Sequence, residues 1–183
     1  MRALPEDGNR YEVVHGELLA TPPPASRHQG VVRRLLFSLQ PYLARAGRPA
    51  EVFFAPGEIS WDADSLLQPD LFVIPAAEVS NGWSTFKTLL LAIEVVSPDS
   101  VRADREVKRR LYQEHGVATY WIVDTDARHV EVWRPEDAEP QVVAGKLHWR
   151  VAPSAPDLEM AVDQLLKGLP KWEATVAWRG PKP

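Results

Sequence analysis

Apolar positions along this chain recur with two periods, and the switches between them mark its elements. Tyr11-Glu12-Val13-Val14-His15-Gly16-Glu17-Leu18-Leu19 predicts a short hairpin turning at His15-Gly16. Thr21-Pro22-Pro23-Pro24 breaks it, and Ser26 is placed to cap the next helix. That helix is predicted from about Arg27 to Ala46. Val32, Leu35, Leu36, Leu39 and Leu43 fall on one face at helical spacing, and Gly47 is placed to end it.

Shorter apolar runs follow. Glu51–Ala55 reads as a strand, with a second short one near Glu58–Trp61 and a third at Leu71–Ile74. Residues 75–88, with Asn81-Gly82, read as a loop or partly helical link. Leu89–Val96 is apolar on both faces, as expected of a central strand covered on both sides. A charged helix over about 102–115 stops at Gly116. Thr119–Asp124 and His129–Trp133 form strands around a four-residue turn. The second alternates strictly, which predicts one wet face near a sheet edge. Beyond Arg134 the pattern weakens: Val142–Val151 suggests another hairpin, and Met160–Leu166 a terminal helix. Strands and helices in this order predict one α/β domain with a mixed sheet, its core at about 10–170 and a frayed tail over 173–183.

Length and composition agree with that picture. A chain of 183 residues, 45% hydrophobic and 25% charged, has the volume and balance of a single globular domain. No apolar run approaches the roughly 20 residues of a membrane span. The N-terminus lacks the apolar core of a secretory signal, so a cytoplasmic location and no membrane partner are expected. With no cysteine, disulfides, Fe–S clusters and thiolate zinc sites are excluded. The GxxxxGK[ST], GxGxxG and GxSxG motifs are absent.

Charge alters the picture locally. The net charge of −4 does not resemble that of a general DNA-coating protein. Residues 27–50, however, hold Arg27, Arg33, Arg34, Arg45 and Arg48 and no acid. Residues 102–110 add Arg102, Arg105, Lys108, Arg109 and Arg110 against Asp104 and Glu106. A basic face and two ordinary solvated helix faces are both consistent with this distribution.

The candidate chemistry lies in three places. Asp70 precedes one apolar run, Glu94 sits inside another, and Lys108 follows one helix later. Burying an ionised carboxylate alone costs several kcal/mol, so acids in such runs need partners. Taken alone, Asp70 reads as a turn cap, whereas Glu94, in so apolar a strand, reads as functional. If their strands are neighbours, the two acids emerge at one end of the sheet, where Mg²⁺ or Mn²⁺ would let both stay ionised. Asp104, Lys108 and Tyr112 share a helix face, the spacing of many surface salt bridges. His28 opens the basic helix and could contact a phosphate, hold a water or sit in solvent. Glu12 and Glu17 could each supply a third acid for the metal, with Glu17 preferred. The seven tryptophans read as core and interface filling.

These pieces, in this order, resemble the Uma2 family of endonucleases in the PD-(D/E)XK superfamily. The matching segments are Arg10–Leu18, Pro24–His28, Pro69-Asp70-Leu71, Glu94–Ser100, Asp104 with Lys108, and Tyr112 with Gly116–Asp124. The resemblance implies the restriction-endonuclease-like fold, a mixed central sheet flanked by helices, here with an N-terminal hairpin. It implies Asp70 and Glu94 as metal ligands. Val96 stands where the E-X-K motif places lysine, and the resemblance suggests that Lys108 supplies that charge instead. The expected activity is Mg²⁺- or Mn²⁺-dependent hydrolysis of a DNA phosphodiester, with His28 auxiliary and the 27–48 helix holding the backbone. A non-catalytic binding or assembly module is the alternative. RNA is an open second substrate, and a homodimer through C-terminal tryptophans is open because two sites would cut both strands.

Overall fold

The computed structural model describes residues 7–79, 82 and 86–170. Strands β1 (Arg10–Val14) and β2 (Glu17–Thr21) pair antiparallel with Glu12 opposite Leu19 and Val14 opposite Glu17. His15 and Gly16 between them have φ of 49° and 77°, the positive pair that suits a two-residue hairpin to strand twist. Helix α1 (Ser26–Arg45) buries His28, Val31, Val32, Leu35, Leu39, Tyr42 and Leu43, while Leu36 is only partly buried. Ser26 is the first helical residue rather than the cap. Ala25 takes the cap position, and no side chain caps the first turn. At the other end, N–H groups of Ala46, Gly47 and Arg48 satisfy the carbonyls of Tyr42, Ala44 and Leu43, with Gly47 at φ 86°.

A six-stranded sheet follows chain order: β3 (Ala50–Phe54), β4 (Leu71–Pro75), β5 (Leu91–Val95), β6 (Tyr120–Asp124), β7 (His129–Trp133) and β8 (Gln141–Val143). Strands β5 and β6 pair in parallel and the other neighbours antiparallel. The crossover joining β5 to β6 carries a π-helical segment, Ala103–Lys108, that runs into α2 (Arg109–Glu114). Near Glu58–Trp61 there is one bridge, Ile59 to Leu67, rather than a strand. Residues 76–78 form a short 3-10 turn, and Asn81 and the 173–183 tail lie outside the described residues. No helix among the described residues is long and apolar enough to cross a membrane.

Three expectations are corrected. Strand β7 does lie near the edge, beside the last strand β8, but it has no wet face: Glu131 is buried against Arg105. The segment Val142–Val151 is not a self-paired hairpin. Instead β8 extends the main sheet, and β9 (Lys146–Trp149) pairs with β10 (Leu158–Ala161), so Met160 is a strand residue. The terminal helix shrinks to one turn, α3 (Val162–Leu165). Leu147, Trp149, Leu158 and Met160 alternate inward onto the α1 layer, and that burial outweighs helical propensity.

The two faces of the sheet have separate cores. Leu71, Val73, Leu91, Ile93, Val95, Trp121 and Val123 pack towards α1, β9 and β10. Phe72, Ile74, Ala92, Val96, Tyr120 and Ile122 pack towards Val14, Leu19, Leu111 and Tyr112 of the hairpin and α2. Trp121, Trp133 and Trp149 are core residues. Trp172 and Trp178 lie outside the described residues, so the C-terminal tryptophan interface does too.

Candidate active site

Strand alternation aims Glu94 at the second of these cores, on the side of Ala92 and Val96. Three other elements bring charged groups to the same place. The hairpin contributes Glu12, on the inward face it shares with Val14 and Leu19. The π-helical segment turns Asp104 and Lys108 inward together, and such segments frequently sit at functional sites. Glu12 is 0% exposed, and Glu94, Asp104 and Lys108 are each 1% exposed.

Lys108 is the hub. Its Nζ lies 2.8 Å from Glu12 Oε2, 3.1 Å from Glu94 Oε1 and 3.2 Å from Asp104 Oδ1. Tyr112 donates its hydroxyl to Glu94 Oε1 at 3.2 Å, and the Gln68 N–H donates to Glu12 Oε1 at 2.8 Å. Glu94 Oε2 is buried with no hydrogen-bond partner among the described residues. An anionic oxygen left so is costly, which points to a cationic ligand or a proton.

Asp70, at the entrance of β4, joins this cluster to α1. Its Oδ2 accepts the Val95 N–H at 2.8 Å and lies 2.8 Å from His28 Nε2. Oδ1 accepts from Arg10 Nη1 at 2.9 Å. Arg10 also donates to the Gln68 carbonyl at 3.1 Å, and its Nε lies 3.6 Å from Glu12 Oε2. One guanidinium therefore links Asp70 to the acids around Lys108. Beside it a cleft of about 300 Å³ opens to solvent.

Four buried acids, Glu12, Asp70, Glu94 and Asp104, share two permanent cations, Arg10 and Lys108. Burial opposes ionisation of Asp70, but His28, Arg10 and the Val95 N–H outweigh it and hold its carboxyl well below the usual range. Glu94 goes the other way. Burial pushes its carboxyl well above the usual value, and neighbouring Asp70, Asp104 and Glu12 add to the shift against the opposing Lys108. Burial raises Asp104 for the same reasons, against Lys108 and Ser100. Burial disfavours the Lys108 ammonium, yet Glu94, Asp104 and Glu12 outweigh that and raise its pKa.

The structure thus brings Asp70, Glu94, Lys108 and His28 into one connected cluster. It does not bring Glu17 there. Glu17 sits at the turn end of β2, half exposed, 3.4 Å from Arg102. Glu12 lies in the cluster instead, against Lys108 and Arg10. Asp104, Arg10 and Tyr112 complete the cluster; the Asp104–Lys108–Tyr112 spacing was legible, but its burial was not. His28 is buried on Asp70, not in solvent. The basic faces are thinner than the charges suggest. Arg27 contacts the Thr125 carbonyl and Asp126, Arg34 the Leu165 carbonyl, Arg105 Asp124 and Glu131, and Arg109 lies over Trp133.

The donor set suits a hard divalent ion, because its acids offer oxygen only and exceed the cations beside them. Among the described residues no three acidic or histidine side chains are already set around one point as a metal shell. Lys108 and Arg10 stand between the acids, so an ion would take Glu94 and Asp70, with Glu12 and Asp104 at hand, by displacing those contacts.

Comparison with known proteins meets this geometry. In the solved structures, a protein of Anabaena variabilis ATCC 29413 described as "a putative nuclease belonging to DUF820" matches with a TM-score of 0.73 at 22% identity, over 89% of this chain and 93% of that one. At that identity the likeness shows a common fold. No protein of curated function matches the chain. The sequence profile of the Uma2 family, described as "Putative restriction endonuclease", matches residues 1–163. That span takes in the hairpin, both acid-bearing strands and the helix of Lys108, and the chain belongs to the Uma2 family, with its restriction-endonuclease-like fold.

Proposed function

We propose that this protein is a divalent-metal-dependent endonuclease that hydrolyses DNA phosphodiester bonds. The observation that carries the reading is the Lys108–Glu94 contact of 3.1 Å beside an unpartnered Glu94 oxygen. Val96, at the superfamily's lysine position, is buried among apolar neighbours, and Lys108 reaches the same acid from the following helix. The Anabaena neighbour, described as "a putative nuclease", supports the same class.

Bound Mg²⁺ or Mn²⁺ would supply Lewis-acid polarisation of the phosphate and a water of lowered pKa. Asp70 and Glu94 would hold the ion, with Glu12 as third acid. Lys108, released from a carboxylate, would neutralise charge on the phosphate or orient the attacking water. His28 would keep Asp70 oriented through its 2.8 Å contact. DNA is the proposed partner, with RNA an open second substrate and a homodimer the assembly that would cut both strands.

The test is calorimetric titration of Mn²⁺ into the wild type and an Asp70→Asn/Glu94→Gln variant, followed by oligonucleotide cleavage. Binding and cleavage that both disappear in the variant support the proposal. Cleavage retained by the variant overturns it. A second reading, a non-catalytic module on the same fold, is favoured by one observation. Lys108 already faces three carboxylates and Asp70 three donors, so the cluster is largely self-satisfied. No metal binding, even with an uncleavable duplex present, would establish that reading.

A further inference from the structure

The cleft beside Asp70 has a mixed lining. Apolar Pro23, Phe54 and Pro56 and polar Arg10, Gln29 and Gln68 all border it. Phe54 ends β3 and is 54% exposed, whereas its neighbour Phe53 turns inward to stack on Phe72 at 5.6 Å. A single exposed aromatic is ordinary on a protein surface. This one borders the same cleft as the Arg10–Asp70 ion pair.

An exposed aromatic face, side-chain amides and a guanidinium bordering one cleft match the parts of a nucleotide: a base with a π-face, polar base edges and a phosphate. The volume of about 300 Å³ lies at the lower limit of small-molecule sites. That is the size of a site for one small ligand. We infer that this cleft takes one unpaired nucleotide beside the scissile phosphate, its base against Phe54 and its phosphate towards Arg10. The preferred substrate is then single-stranded or locally unpaired DNA rather than a closed duplex. The inference rests on the reading of Asp70 and Glu94 as the cutting site, and it adds a binding residue that this reading does not use.

The experiment uses the full chain and a short single-stranded DNA carrying one 2-aminopurine, alone or annealed to its complement, in Ca²⁺. The wild type should bind the single strand more tightly than the duplex, and the probe's emission should change as its base stacks. Phe54→Ala should weaken single-strand binding ~10-fold, the order expected for loss of one base–aromatic stack, and abolish the emission change. Phe54→Trp should keep both. Mn²⁺ binding should be unchanged in Phe54→Ala, which shows that the fold and the acids are intact. Equal or tighter duplex binding, an unaffected Phe54→Ala, or no binding of any oligonucleotide would overturn the inference. Duplex cleavage with no dependence on Phe54 would remove this inference and leave the proposed chemistry standing. Stacking on Phe54 without metal binding or cleavage would remove the chemistry and leave the nucleotide site standing.

Discussion

Nζ of Lys108 lies 2.8 Å from Oε2 of Glu12, joining the π-helical segment to the N-terminal hairpin over the sheet. The same ammonium lies 3.1 Å from Glu94, so a strand, a helix and a hairpin meet at one charge. The hairpin is therefore part of the site's electrostatics. Buried ion pairs of this kind add little net stability when intact and cost much when one partner is removed.

Lys108→Met tests that asymmetry. It leaves Glu12, Glu94 and Asp104 buried together without their shared cation, and should destabilise the fold by about 3–5 kcal/mol at neutral pH. Urea unfolding measures it. The deficit should shrink as pH falls, because protonation removes the uncompensated charge. A variant as stable as the wild type would mean that the acids do not depend on this lysine.

Glu94→Gln tests the raised carboxyl through the pH dependence of stability. The folded-state pKa of Glu94 is raised by burial above its unfolded value of about 4.3. Its stabilising contribution is thus complete below that value and is lost as pH rises through the folded pKa. Gln cannot ionise and keeps an acceptor for Tyr112. Lys108 keeps Glu12 and Asp104 as partners, so the variant should gain stability relative to the wild type as pH rises from about 4 to about 8. Unfolding curves across that range would show the trend, and a gain independent of pH would contradict it.

Glu12 and Glu17 separate two versions of the proposed metal site. Glu12→Gln should weaken Mn²⁺ binding roughly 10–100-fold, the size seen when a supporting acid is lost. Glu17→Gln should leave it unchanged, because Glu17 lies half exposed against Arg102. Calorimetry on both variants decides the matter, and the reverse ranking would restore Glu17.

Gly57 supports the aromatic packing under the cleft. A Cβ there would lie 2.9 Å from Phe72 Cε1 and 3.0 Å from Cζ. The Phe72 ring is held by Phe53 and Phe86 and has little room to move. Gly57→Ala should cost about 1–3 kcal/mol, read as a lowered Tm. Gly145→Ala, where a Cβ meets nothing within 4 Å, should leave Tm nearly unchanged.

Much of the fold was legible along the chain because its periods are local. The apolar face of α1, the His15-Gly16 turn and the doubly buried Leu91–Val95 strand all follow from spacing that each segment carries within itself. Glu94 stood out because an acid inside such a strand demands a partner. Later segments were less legible. Gln141–Val143 and Lys146–Trp149 have the alternation of a hairpin, but one extends the sheet and the other pairs with Leu158–Ala161. Alternation shows that a segment is a strand and does not name its neighbour.

The same limit governed the site. The sequence by itself determined that Asp70, Glu94 and Lys108 belong together, through the apolar runs around two of them and the resemblance that orders all three. Tertiary structure alone decided that Glu12 rather than Glu17 joins them, that Arg10 bridges Asp70 to that cluster, and that His28 is spent on Asp70. It also decided that the Asp104–Lys108–Tyr112 face, which reads as a solvated salt bridge, is buried. The physical reason is that periodicity tells which residues share a face, whereas burial depends on what lies against that face. Here the covering pieces, a hairpin and a helix far apart in the chain, meet only when the sheet has formed.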